Sequence, residues 1–177
     1  MDVFSALTER HSYREPFKPI PIPQKDLRAI VDAGLKAPSG KNEQTTSFII
    51  VHDQKKVRAI ADMHTQKAMN TAQAFIACII DKQPPAVYEG VSFQIEDCAA
   101  AVENMLLAIT ALGYASVWID GWLRGDRRAE KIGTLLGVPE HKTIRVLLPV
   151  GIPAVAGPRK EKKPFEERAW FDRWEGK

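Results

Sequence analysis

The sequence predicts a three-layer fold in which helices cover both faces of a single β-sheet. Three observations predict it. Short apolar runs at residues 48–51, 75–80 and 144–148 are typical of buried strands. Segments with helical periodicity lie between these runs, so helices and strands alternate along the chain. The length of 177 residues, with 45% hydrophobic and 27% charged residues, fits one domain with a sizeable core.

The predicted helices follow from the spacing of apolar residues and from the residues at their ends. Asp2 can cap a short first helix, and a second helix begins at Pro23 and ends before Pro38. Residues 54–69 are expected to form one or two helices, and residues 126–136 another. The longest helical pattern covers residues 95–112, after which Gly113 is placed to form a left-handed cap.

The segments between the helices complete the expected core. A basic, proline-rich stretch over residues 10–23 should be extended, and residues 39–46 form a polar loop before the first strand. Residues 115–119 have the composition of a further strand. The composition changes after Gly151, so we expect residues 152–177 to form a C-terminal tail. Its aromatic residues suit packing on a partner subunit or on the chain's own core; they are Trp170, Phe171 and Trp174.

Charge and composition narrow the classes of function. The net charge of +3 is concentrated in residues 10–18 and 159–163, which is too little for general nucleic-acid binding but enough for local anion sites. No apolar run has the length of a membrane span, and the acidic start does not resemble a secretory signal, so we expect a soluble cytoplasmic protein. Cys78 and Cys98 lie in apolar patterns and are expected to be buried free thiols. The four histidines lack metal-ligand spacing, so no metal site is expected.

Two polar segments contain residues that could bind a ligand. In an extended segment Arg10, Ser12 and Arg14 would share one face, where two guanidinium groups beside a hydroxyl suit a phosphate. Asn42 and Gln44, in the loop after the second helix, offer amide groups that can match the edge of a flat heterocycle. Taken alone, the first segment is more typical of a solvated basic loop, and the second is typical of an ordinary turn.

Five motifs follow one another along the chain: Arg10-His11-Ser12-x-Arg14, the Pro38-Ser39-x-x-Asn42-x-Gln44 loop, a long central helix leading to Trp118-Ile119-Asp120-Gly121, Val150-Gly151-x-Pro153, and Lys160-x-Lys162-x-Pro164. In this order they resemble the nitroreductase family of FMN-dependent oxidoreductases, and the resemblance extends from residue 2 to about residue 168. The resemblance implies an α+β fold (three-layer α/β/α) with a mixed sheet flanked by helices. It also implies an intertwined homodimer with the active site at the subunit interface.

The resemblance assigns roles to the matching residues. The basic start and the basic pair near the end would hold the FMN phosphate; these residues are Arg10, His11, Ser12, Arg14, Lys160 and Lys162. The loop that would frame the flavin from the other subunit contributes Pro38, Ser39, Gly40, Asn42 and Gln44. The backbone of Ile119, Asp120 and Gly121, which Trp118 precedes, would lie against the central ring near N5. Lys67 lies roughly where some relatives place a lysine at the N1 edge.

The implied function is electron transfer from NADH or NADPH through FMN to a small acceptor, such as a nitroaromatic, a quinone or free flavin, by a ping-pong mechanism. No side chain need act as acid or base in the hydride step. Two alternatives stay open at this point: an FMN-binding storage or sensor protein with little turnover, and a basic interaction module without a cofactor. Thr45 and Thr46 stand where the family commonly has Pro-Trp, so the pocket floor and the substrate preference cannot be transferred.

Overall fold

A computed structural model describes residues 1–176 of the chain. Within these residues, six helices and three strands alternate in the order predicted, apart from the segment at residues 115–119. The helices are α1 (Val3–Glu9), α2 (Gln24–Leu35), α3 (Gln54–Ala61), α4 (Lys67–Asn70), α5 (Gln94–Ala111) and α6 (Arg128–Leu136), and the strands are β1 (Ser47–Val51), β2 (Ala74–Asp81) and β3 (Lys142–Val150). Short 3₁₀ turns lie at Gly40–Asn42, Gly121–Arg124 and Phe165–Glu167.

The three strands form an antiparallel sheet in the order β1-β2-β3. The expected mixed sheet is only weakly mixed, because the one parallel pairing within residues 1–176 is an isolated bridge between Ser12 and Ser116. The central strand β2 is buried on both faces, as its continuous apolar run predicts. On one face Ala74, Ile76 and Cys78 pack with α2 and α5, and on the other Phe75, Ala77 and Ile79 pack with α3, α4 and α6. The three-layer prediction is therefore confirmed.

A β-bulge interrupts the pairing of β2 with β3. Cys78 pairs with Val146, whereas the next residue, Ile79, pairs with Ile144. Arg145 is therefore the extra residue of the bulge. A bulge changes the direction of the side chain it carries, and here the Arg145 guanidinium bonds to Asp120, outside the sheet.

The helix ends follow the predicted local chemistry. The Asp2 carboxylate accepts hydrogen bonds from the N–H groups of Phe4 and Ser5 and so caps α1. Gly113 has a φ of 82° and follows the last turn of α5, which confirms the predicted left-handed cap. The stretch at residues 54–69 forms two helices, α3 and α4. Cys78 and Cys98 are both buried and carry no disulfide, as expected.

The predicted strand at residues 115–119 is wrong as a regular strand. This segment makes isolated bridges to two parts of the chain: Ala115 and Ile119 pair with Gly151 and Leu147 at the end of β3, in one antiparallel register, and Ser116 pairs with Ser12. In that register Val117 lies opposite Pro149, which has no N–H to donate, so the ladder with β3 is interrupted. The segment instead ties the basic start of the chain to the end of β3.

The first part of the predicted C-terminal tail packs on its own subunit. Pro153 pairs with Phe17, and the Tyr13 hydroxyl donates to the carbonyl oxygens of Pro16 and Val155. Tyr13 itself is buried. This part of the tail is therefore held in place by its own subunit. Further on, Phe165, Phe171 and Trp174 are exposed.

Within residues 1–176, none of the helices combines the length and the apolar composition that crossing a bilayer requires.

Candidate active site

The basic start of the chain is extended and lies beside residue 116. The N–H of Tyr13 donates to the carbonyl oxygen of Ser116, and Ser12 forms the parallel bridge with the same residue. Side chains alternate in direction along an extended segment. Since Tyr13 points into the core, Ser12 and Arg14 are left on the outer side.

The C-terminal tail returns to this segment and closes a basic cavity of about 460 Å³. Its lining has no acidic side chain and consists of Leu7, Thr8, Arg10, His11, Ser12, Arg14, Pro158, Arg159, Lys160 and Lys162. We refer to it as the basic cavity. The structure thus brings together the two groups of basic residues that the sequence separates by about 150 positions. The cations that line this cavity, together with a hydroxyl, form a suitable donor set for a phosphate.

Neighbouring groups hold the side chains of the basic cavity. The Arg10 guanidinium lies 3.3 Å from the Glu103 carboxylate of α5. Arg14 donates through Nη1 to the carbonyl oxygen of Ser12 at 3.1 Å. His11 donates through Nδ1 to the carbonyl oxygen of Glu9 at 3.0 Å, because a carbonyl can only accept. The Nε2 atom of His11 is buried and has no partner within residues 1–176. With the ring proton on Nδ1, Nε2 is an acceptor, so the cations of the cavity, and not this nitrogen, suit an anionic group such as the FMN phosphate.

The segment that would face the flavin ring is held by an ionic cluster on Asp120. Its carboxylate accepts two hydrogen bonds from Arg124, at 2.8 and 2.9 Å, and one from Arg145 at 3.0 Å. Asp120 also raises the pKa of Arg124 through a hydrogen bond and its charge. The cluster fixes the backbone just before Gly121, where an added β-carbon would meet no atom within 4 Å. The backbone at Gly121 is therefore open to a ligand.

Sequence reasoning missed both arginines of this cluster. The position of Arg145 could have predicted an ion pair, because it is the one charged residue in the otherwise apolar run of residues 144–148. A charge in that position has to find a partner. Arg124 gave no comparable signal, since it lies in a polar turn that contains further arginines.

A second group, also missed, surrounds Trp122 next to Gly121. The ring centroids of His64 and Trp122 are 4.6 Å apart, and the Arg128 guanidinium lies 5.0 Å from the centroid of the Trp122 ring. Nδ1 of His64 accepts from the N–H of Gln66 at 2.8 Å. Burial, and then the charge of Arg128, lower the pKa of His64. His64 is therefore a neutral, aromatic side chain beside the proposed ring site.

Two other predicted residues lie outside the basic cavity. Lys67 starts α4 and forms an ion pair with Glu15 at 2.8 Å, and this carboxylate raises the pKa of Lys67. Lys67 is thus close to the basic start, although it does not line the cavity. Trp118 is partly buried and packs against the core cluster of α2 and α5.

The polar loop after α2 lies in a different place from the basic cavity. Pro38, Ser39 and Gln44 line a small cavity of about 120 Å³ together with Asp97 of α5. Neither this cavity nor the neighbouring one at Gly40 contains a residue from the basic cavity. Asn42 and Gln44 are both exposed. Within one subunit, the structure does not bring the loop and the basic cavity together.

The family model, the relatives and the solved structures that this chain is similar to all indicate the same family. The model of the "Nitroreductase family" matches residues 7–76 and 62–152. A relative from Archaeoglobus fulgidus, provisionally named NADH dehydrogenase/NAD(P)H nitroreductase, is 32% identical over 82% of this chain and 79% of its own length. The NADPH-flavin oxidoreductase of Vibrio harveyi is 29% identical over 77% of this chain and 60% of its own length. A nitroreductase with bound FMN from Bacteroides fragilis is 28% identical and superposes with a TM-score of 0.74, covering 93% of this chain and 95% of that chain.

Proposed function

The chain belongs to the nitroreductase family and is an FMN-dependent NAD(P)H oxidoreductase, and on this premise we propose that it passes electrons from NADH or NADPH to a small acceptor. The observation that supports this most strongly is the convergence of cationic residues from both ends of the chain on one cavity. When bound, FMN supplies the hydride-accepting atom and returns the electrons to the acceptor.

The proposed task of the basic cavity is to hold the FMN phosphate. Charge-assisted hydrogen bonds from guanidinium and ammonium groups are about twice as strong as neutral ones. The residues assigned to this task are Arg10, His11, Ser12, Arg14, Lys160 and Lys162. Arg159 lines the same cavity and adds to its positive charge.

The proposed task of residues 118–121 is to orient the ring. The ionic cluster on Asp120 keeps this backbone in one conformation, so that an N–H of Asp120 or Gly121 can be directed at N5. A fixed donor of this kind both positions the ring and adjusts its electron affinity. Lys67 would contribute positive charge on the N1 side, where a cation favours anionic reduced flavin.

The site is proposed to be complete only in a homodimer. The loop with Asn42 and Gln44 lies away from the basic cavity of its own subunit, so we assign it to the cavity of the partner. Several apolar side chains on neighbouring helices are exposed and would be covered by such a partner; they are Val3, Phe4, Leu7, Leu35, Ile95 and Leu112. The aromatic end of the tail, with Phe171 and Trp174, is a further candidate for this interface.

The proposed acceptors are flat molecules: nitroaromatics, quinones or free flavin. The proposed order is ping-pong, in which the oxidised nicotinamide leaves before the acceptor enters. The name of the Vibrio harveyi relative supports flavin as one of these acceptors.

We propose that the protein is located in the cytoplasm, where NADH and NADPH are available and where the buried thiols of Cys78 and Cys98 stay reduced.

The test is a spectrum of the purified protein followed by anaerobic titration with NADH and, separately, NADPH. We expect flavin absorbance in the purified protein and its loss on addition of at least one of the two nucleotides. Acceptor added afterwards should restore the absorbance. Bound flavin that neither nucleotide reduces would contradict the oxidoreductase function and support an FMN storage or sensor protein. A protein that does not take up FMN would contradict both of these functions.

A further inference from the structure

Asp97 is a buried carboxylate in the first turn of α5, with only 7% of its surface exposed. Both of its oxygens are used by the loop after α2. Oδ1 accepts from the N–H of Gly40 at 2.9 Å, and Oδ2 accepts from the hydroxyl of Thr45 at 2.9 Å. One carboxylate therefore holds the loop at both of its ends.

Between these two contacts, three non-glycine residues of the loop have an unfavourable left-handed backbone conformation. Lys41, Asn42 and Gln44 have φ angles of 49°, 59° and 50°. Residues with a side chain rarely adopt this left-handed region, and they remain there only where the surroundings hold them. A third contact adds to the two from Asp97, because the Ser39 hydroxyl accepts from the N–H of Gln44 at 3.0 Å.

The same end of α5 also restrains the loop sterically. A β-carbon added to Gly40 would lie 2.5 Å from Cδ2 of Phe93, so the loop backbone is pressed against this ring. Phe93 precedes α5 and lies one helical turn before Asp97. One turn of α5 thus supplies both the surface on which the loop rests and the acceptor that bonds it.

The contact between the loop and Asp97 depends on the hydroxyl group of Thr45. Thr45 stands where the resemblance leads one to expect proline, and a proline would have no hydroxyl to donate to Asp97. The departure from the family pattern thus forms one of the two bonds that hold the loop in this chain.

We propose that Asp97 is a positioning residue that holds the loop so that Asn42 and Gln44 meet the flavin of the partner subunit in one conformation. The inference rests on the proposed function, which assigns this loop to the partner's site. Preorganisation of this kind strengthens binding, because the loop does not have to be ordered when the ligand arrives.

Gln94 provides a matched control. It lies in the same turn of α5, is also buried, and exchanges two hydrogen bonds with the backbone of Asp81 rather than with the loop. Replacing Gln94 should therefore weaken the fold without freeing the loop. Comparing the two positions separates positioning of the loop from a general contribution to stability.

The first readout is tryptic cleavage after Lys41, an exposed residue in the middle of the loop, measured on the full chain without FMN. Cleavage of a locally opened segment reports the population of the open form. Asp97→Asn should raise the rate about tenfold, since it removes a charge-assisted acceptor from the loop. Thr45→Val should raise the cleavage rate by roughly threefold. In the double variant Thr45→Val should add little to the effect of Asp97→Asn, because the contact between residues 45 and 97 is already weakened. Gln94→Met should leave the rate at Lys41 close to that of the unchanged chain.

The second readout is the dissociation constant of FMN, measured by quenching of flavin fluorescence. Asp97→Asn should raise it about tenfold and Thr45→Val by a smaller factor, whereas Gln94→Met should not. The proposal is overturned if Asp97→Asn changes neither readout more than Gln94→Met does. If Asp97→Asn does not fold, a Thr45→Val protein that matches the unchanged chain in both readouts overturns it. An unchanged chain that binds no FMN would contradict the proposed function, and proteolysis at Lys41 would then show separately whether Asp97 orders the loop.

Discussion

Arg10 shows how one side chain can be placed for a ligand. Its side chain has a relative exposure of 21% and lines the basic cavity, while the carboxylate of Glu103, which does not line the cavity, lies 3.3 Å from its guanidinium. Arg28 provides the contrast. It lies on α2 with a relative side-chain exposure of 82%, and its nearest acid, Asp32, is 3.9 Å away. The two arginines have the same chemistry, but only Arg10 lies where an anion would be surrounded by other cations.

Arg10→Ala should therefore weaken FMN binding by about tenfold or more, because it removes a charge-assisted contact to the phosphate. Arg28→Ala should leave FMN affinity unchanged. The measurement is fluorescence titration of each purified variant with FMN, at one fixed salt concentration because ionic contacts are screened by salt. Equal affinities in the two variants would contradict the assignment of the basic cavity to the phosphate.

At the residue scale, the sequence predicted the groups that have a repeated or unusual pattern and missed those that resemble ordinary surface residues. Arg10 and Lys162 belong to concentrated basic segments, so they could be selected before the structure was known. Asp97 was missed because an acidic residue in the first turn of a helix is common and stabilises the helix by itself. Its second role depends on the loop that folds over it, and no local pattern encodes that contact.

Strand β3 shows how one irregular position in an element can serve the site. The bulge at Arg145 directs its guanidinium to Asp120, so the strand orders the segment proposed to face the flavin. Arg124 bonds to the same carboxylate from the exposed side. The relative side-chain exposure is 22% for Arg145 and 59% for Arg124, which predicts different contributions to stability.

Arg145→Met should lower the free energy of unfolding by about 2 kcal/mol, because a partly buried carboxylate loses a charged partner. Arg124→Met should have a smaller effect, since its exposed guanidinium is replaced by water. Denaturant unfolding of both variants at the same pH provides the comparison. The interpretation of the bulge would be wrong if the two substitutions destabilised the protein equally.

At the element scale, periodicity predicted the helices and the three strands, because each of these buries a regular face. The segment at residues 115–119 was predicted as a strand from its composition and is not one. It pairs with the end of β3 only through isolated bridges, because Pro149 interrupts the ladder, and the composition of the segment itself carries no information about that neighbour. The segment with the least regular pairing is also the one that leads into the proposed ring site.

The molecule as a whole is proposed to be half of its functional unit. The basic cavity is built from the two ends of one chain, whereas the loop with Asn42 and Gln44 lies elsewhere on the same subunit. Apolar side chains remain exposed on α1, α2 and α5, for example Phe4 and Leu35. A symmetric dimer would cover these surfaces and bring each loop to the cavity of the other subunit.

Subunit complementation tests this central claim most directly. One variant combines Arg10→Ala with Lys162→Ala in the basic cavity, and the other combines Asn42→Ala with Gln44→Ala in the loop. Each alone should bind little FMN, because every site in either homodimer has one defect. After the two are mixed and their subunits exchange, a heterodimer has one doubly defective site and one intact site, so about a quarter of all sites should bind FMN tightly. Heterodimers that form but recover no tight FMN binding would contradict the account.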